Sequence, residues 1–548
     1  LWAHQQSGGA SKITSKSGSI GNLQVGIGDW STSLTAAKDI GSITLTKGSL
    51  HQVTIAAGGS IGSIKVSGTQ GGILGGSIVA GDDIGGIEVS TSTGPALQGV
   101  LIQAGSDAGD RLDSIQAESY GTIVRPVITP GLGPVPVAVS DQAAIASSRI
   151  LAAEIGTIWA RAREGVALVD TVIHAQRSNL DGISAQGSTG GLLRATVVAE
   201  QAIGPVVGSA DVQGSGIADS RINANTGGIG NVSGQGGVAG GHGLFNSYLQ
   251  AATAISGIKG DSNANQGDGI RGLQAYAGTY GTIQALVRGG EGATPAAPPP
   301  PLTTRTPTGS GIVDSIFKGF DNQPSSPKPG IEAIIVDVCS IEGQGIVNST
   351  FSVKDSISSI SVKAFKNSAI VNAQFSSSSG VIGSIDALAL NKGSAIIGSR
   401  FIADNGDIGR LGGIVAKTNG RTVTDNAIES THFEAANGIG AITALSRGGS
   451  SILGTTFLAD SDLSGAGSIA AITANNEGQN LAASMGISGS SFEAAEIGSI
   501  TVKIDDFQGG TAISGSTFTT RTATYDGKGN VDNKGTIGAI TIDSLSRP

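Results

Sequence analysis

At 548 residues the chain is long enough for three or four ordinary domains, yet its 88 glycines, 14% charged residues and small aromatic complement (12 Phe, 5 Tyr, 3 Trp) describe something more uniform. Glycine at this frequency without a Gly-X-Y period excludes collagen, abundant aliphatic residues exclude a disordered linker, and no apolar run reaches the roughly 18 residues of a membrane-spanning helix. A net charge of −9 excludes a basic nucleic-acid surface as the main theme, and the single cysteine, Cys339, excludes an internal disulfide framework or a four-Cys zinc site.

The first residues, Leu1-Trp2-Ala3-His4, lack an initiator Met, so a processed form or segment without a leader peptide is expected. From there the chain is organised by repeats. One unit reads I-G-x-I-x-V/A and appears at Ile20, Ile40, Ile61 and Ile84, then at Ile155, Ile203, Ile229, Ile382, Ile408, Ile439, Ile497 and Ile537. Degenerate copies begin at Leu180, Ile255, Tyr280, Ile357 and Ile469. A second unit, I-x-x-[STA]-x-F, precedes the first in each period of the C-terminal half and ends at Phe317, Phe351, Phe375, Phe401, Phe433, Phe457, Phe492 and Phe518. The N-terminal half keeps it with aliphatics, from Ile145 to Ile150, Leu168 to Ile173, Leu192 to Val197, Ile217 to Ile222 and Leu244 to Leu249.

Both units are short, alternating and rich in β-branched residues, which predicts strands rather than helices. Two or three short strands in a period of 20–30 residues predict one coil of a parallel β-solenoid, about 19 coils in all. At a strand spacing of about 4.8 Å these would stack into a rod roughly 90 Å long, with the Ile and Phe series as inward ladders.

On these motifs the sequence resembles the right-handed parallel β-helix proteins of the pectin-lyase-like group, and its I-G-x-I cadence is similar to long β-helical surface proteins of bacteria. The resemblance spans nearly the whole chain and implies an all-β, right-handed parallel β-helix. Proline-rich segments interrupt the cadence at 125–140, 289–311 and 321–330. They read as excursions from one continuous rod. The ladder change marks an N-terminal section at 1–288, a Pro-rich loop or linker at 289–311 and a C-terminal section at 312–548.

Many β-helix proteins cleave polysaccharides, with an Asp-Asp pair and a Gly-His-Gly on neighbouring coils. Asp82-Asp83 and Gly241-His242-Gly243 resemble these pieces but lie some six coils apart, roughly 30 Å, whereas paired glycosidase carboxylates stand within about 5–10 Å. A loop histidine and turn aspartates are the simpler reading, as they are for Asp505-Asp506. The residues expected to face outward (Thr44, Lys65, Glu88, Trp159, Val207, Ser233, Lys259, Gln284, Asp386, Thr443, Thr473, Thr501 and Thr541) show no cluster of acids. No catalytic or cofactor-binding residues are therefore assigned.

Calcium is the one cofactor considered. Asp261, Asn263, Asn265 and Asp268 alternate oxygen ligands as calcium loops do, although the sixth-position Gly and twelfth-position Glu are missing. Tyr525–Lys534 offers a similar set. The five histidines have no ligand spacing. Cys339, in the apolar run Ile334–Ile341, is expected to be a core residue.

The expected function is structural. The sequence reads as an extracellular or cell-surface rod or scaffold of bacterial type, building a layer, filament or larger assembly with copies of itself or other subunits. It has no nucleic-acid partner and no membrane span, and polysaccharide is a further candidate partner. A secreted adhesin or passenger domain, or a polysaccharide-active β-helix enzyme, is the alternative.

Overall fold

The computed structural model describes residues 2–3, 11–121, 142–263, 267–288, 309–320, 330–340, 342–459, 467–477, 485–504, 511–520 and 535–544. The chain forms two compact units, Leu1–Ser256 and Gly257–Pro548. Among the described residues there is no helix, and strands pair in parallel with the equivalent strand one period away, as in an all-β parallel β-solenoid.

Alternation explains each strand. Ile382–Ala389 buries Ile382, Ile385, Ala387 and Ala389 and turns Asp386 to solvent. Its register with Ile357–Ala364 sets Ile357 on Ile382, Ile360 on Ile385 and Val362 on Ala387. Each inward position thus repeats at the strand spacing, and a fully buried Ile contributes about 1.5–3 kcal/mol.

The strands of the I-x-x-[STA]-x-F unit, such as Ile346–Val347 and Thr350–Val353, form a second parallel sheet, which is bent, and the bend explains the unit. Its third residue adopts positive φ: Asp314 (48°), Asn348 (48°), Asn372 (49°) and Ser430 (48°), with glycine at Gly398 and Gly454. Asn, Asp and Gly tolerate this region best. The fourth residue, Ala373 excepted, is a hydroxyl, buried at Ser315, Ser349, Ser399, Thr431, Thr455 and Ser490, that ties coil to coil. Ser349 Oγ accepts the Ser315 N–H at 3.2 Å and donates to the Val347 carbonyl at 2.8 Å. Ser399 does the same for the Ala373 N–H and the Ile397 carbonyl. Backbone groups that the bend would leave orphaned are thereby satisfied.

In the second unit the Phe series is a continuous stack. Centroids from Phe317 to Phe518 are 4.8–5.0 Å apart and neighbouring planes differ by 1–8°. Tyr280 closes one end of it, edge-on to Phe317 at 6.4 Å, and its buried hydroxyl stands 2.8 Å from the Ala275 carbonyl and 2.7 Å from the Lys318 carbonyl, which share its one proton. In the first unit Ile150, Ile173, Val197, Ile222 and Leu249 occupy the equivalent place in register.

Two expectations are corrected. In the copy at Ile408, the fourth residue, Leu411, is 82% exposed, and Ile414 pairs with Ile385 instead. Three extra residues loop out there, on positive-φ Gly409, Gly412 and Gly413. Cys339 is exposed and forms no disulfide. Ile334, Val336 and Val338 point inward, so strand parity places Asp337 and Cys339 on the solvent side.

Candidate functional site

Asp82 and Asp83 sit in the exposed corner before Ile87–Thr91, and Asp83 Oδ1 accepts the Arg111 N–H at 2.8 Å. His242 lies in the corner after Ile229–Gly236, its ring stacked on Phe245 at 4.7 Å. The strands Ile87–Thr91 and Ile229–Gly236 are separated by five steps of the same sheet. At about 4.8 Å per step that is roughly 24 Å, so the aspartates and histidine share no cleft. Asp505-Asp506, His4 and Tyr525–Lys534 lie outside the described residues.

The outward wall is continuous in register. Gln24, Thr44, Lys65 and Glu88 follow one another in the first unit, with Lys65 Nζ 2.8 Å from Glu88 Oε1. In the second unit the row runs Gln284, Ile335, Ser361, Asp386, Val415, Thr443, Thr473, Thr501 and Thr541. The charges in these two rows are Lys65 and Glu88, which pair, and Asp386, and no acid in them sits beside another.

Charged groups engage one another elsewhere. Arg111 binds Glu154 through Nη1, stands 2.6 Å from Asp181 through Nη2 and 3.6 Å from Asp113 through Nε. His51 Nε2 is 3.9 Å from Asp29. His174 lies on an outward position of Val172–Ala175. Glu434 takes hydrogen bonds from His432 at 3.0 Å and Arg400 at 3.2 Å, and these hold its carboxyl below the usual glutamate range.

Three of the four calcium candidates, Asp261, Asn263 and Asp268, lie among the described residues. Asp261 is buried, with Oδ2 3.1 Å from Arg288 Nη2. Asp268 is also buried, 3.0 Å from Arg271 Nη1, and accepts the Ser310 N–H. Asn263 is half-buried and Asn265 lies outside the described residues. Among the described residues no three His, Cys, Asp or Glu side chains come together around a metal-sized space. Guanidinium groups thus pair with both acids, Arg288 with Asp261 and Arg271 with Asp268.

No family model, no curated protein and no solved structure matches this chain.

Proposed function

We propose that the chain is a structural scaffold of a bacterial cell surface, a right-handed β-helix of the pectin-lyase-like type without catalysis of its own, which builds a layer or filament by packing with copies or partner subunits. The carrying observation is the coil formed by Thr536–Ile537 and Ile540–Ser544. Ile537, Ile540 and Ile542 continue ladders whose preceding members, Ile497, Ile500 and Val502, are at most 1% exposed, yet they are themselves 40%, 51% and 54% exposed. An apolar row on a strand edge accepts another strand in register, whether from another copy, another subunit or further chain of a longer precursor, and the scaffold reading takes the first two.

The rest of the molecule supports this reading. Side chains of one kind are repeated coil after coil, which produces stiffness by nearest-neighbour stacking. The small net charge of −9 allows close approach between copies. One Met and one Cys suit an extracytoplasmic setting. The test is light scattering with cross-linking on the protein and on an Ile540→Lys/Ile542→Lys variant. Association of the parent lost in the variant is expected. A parent that stays monomeric at high concentration would overturn the reading.

A further inference from the structure

His242, Phe245 and Tyr248 bring three aromatic rings close together in a chain that has few, and none of them joins an inward ladder. In Leu244–Phe245 and Tyr248–Ala251 the buried residues are Leu244, Leu249 and Ala251, so Phe245 and Tyr248 face outward on either side of the positive-φ Asn246. The His242 ring lies on Phe245 with centroids 4.7 Å apart and planes within 11°. The exposed Arg221 guanidinium, one coil earlier, lies over Tyr248 at 4.9 Å. Both pairs are held from beneath. Asn246 Nδ2 donates to Asp219 Oδ1 at 2.7 Å, and the Tyr248 hydroxyl donates to Gln250 Oε1 at 2.8 Å. Phe245 pairs in register with Ala218, a small residue that leaves room beside the ring. The result is a shelf of four planar groups, fixed in place on the flank of the first unit.

The same sequence contains a segment of matching chemistry. Residues 289–308, between Arg288 and Gly309, lie outside the described residues and include Pro298-Pro299-Pro300-Pro301. No charged residue occurs from 292 to 304, and the proline-rich stretches at 125–140 and 321–330 have no consecutive prolines. Connections longer than about 12–15 residues are uncommon in compact folds and are mostly functional segments or linkers. A stretch of about ten residues reaches at most roughly 33 Å, enough to carry the run from its own coil to a neighbouring molecule. Proline fixes φ and lacks an N–H, so consecutive prolines bind in the polyproline II form with little entropy to lose. Such runs dock on aromatic surfaces with a few polar groups beside them.

We propose that the shelf of Arg221, His242, Phe245 and Tyr248 receives the Pro298–Pro301 run of a second copy. The pyrrolidine rings pack on the faces of Phe245 and Tyr248, and Arg221 and Gln250 supply N–H groups to the proline carbonyls. Each copy carries both a shelf and a run, so the contact is head-to-tail and repeats from molecule to molecule. The proposal rests on the scaffold reading for the identity of the partner, and it names a contact separate from the strand edge at Ile540.

The test is fluorescence anisotropy of a labelled peptide of residues 294–302 titrated with the intact protein. Saturable binding is expected, at least tenfold weaker in a Phe245→Ala/Tyr248→Ala variant of unchanged melting temperature. If that variant melts early, Phe245→Leu/Tyr248→Leu, which keeps apolar bulk without the rings, takes its place. A peptide with Pro298→Ser, Pro299→Ser, Pro300→Ser and Pro301→Ser should not bind, and a Val207→Ala protein should bind the parent peptide as the parent does. No binding, undiminished binding by the ring variants, or equal binding of the serine peptide would overturn the proposal. So would neutral dextran binding at these rings when the peptide does not, which assigns them to a glycan. Light scattering separates the two readings. A parent that associates yet ignores the peptide overturns the shelf and leaves the scaffold standing. One that binds the peptide yet stays monomeric overturns the scaffold, and with it the second copy as partner.

Discussion

Gly345 and Val362 share one space in the core: a Cβ added to Gly345 would fall within the van der Waals envelope of Val362 Cγ1 and against the Ala369 carbonyl. The pairing repeats. Gly311 stands against Val336 and Gly486 against Val502, whereas the equivalent residues Ala369 and Ala395 belong to coils that carry Ala387 and Ala416. The inward volume of a coil is therefore held constant by two positions that vary together, as a close-packed interior requires. Gly345→Ala is expected to cost about 1–3 kcal/mol through overpacking, and Val362→Ala in the same chain to recover part of that loss. A double-mutant cycle by urea denaturation measures it. Strict additivity would contradict the shared volume.

The Phe stack concentrates the stability of the second unit. Phe457 and Phe492 stack at 4.8 Å although 35 residues separate them. Phe401→Ala or Phe457→Ala should each cost about 3–5 kcal/mol in chemical denaturation. A loss below about 1 kcal/mol would show that the ring is not core.

Much of this was legible from spacing alone. The I-G-x-I and I-x-x-[STA]-x-F units locate both sheets and the Phe ladder, because strand parity and stacking force like residues into like positions. The bend was less visible. Asp314, Asn348 and Asn372 recur at the third position of the second unit, and that recurrence was the available sign of positive φ. Leu411 misled because I-G-R-L matches the motif while a three-residue insertion removes it from the core. Cys339 misled because an apolar run conceals parity.

Glu434 should leave a mark on acid stability. Its folded pKa is depressed, first by the hydrogen bond from His432 and then by that from Arg400, so its contribution is present above the ordinary glutamate value of 4.5. That contribution is lost as pH falls through the folded value. The stability advantage of the parent over Glu434→Gln should therefore shrink below pH 4.5. Urea midpoints measured at descending pH check this, and a constant difference would contradict it.

Polysaccharide cleavage is expected to be absent. Asp82-Asp83 and His242 stand five strand steps apart, and the outward wall presents no facing acids. Reducing-sugar release from neutral and acidic polysaccharides should remain at background. Turnover abolished by His242→Ala or Asp83→Asn would contradict the scaffold reading.

Electron microscopy of the purified protein at rising concentration tests that reading most directly. Particles that join into filaments or ordered sheets, and that stay separate in the Ile540→Lys/Ile542→Lys variant, are the predicted result. Separate particles at every concentration, with the parent indistinguishable from the variant, would contradict it.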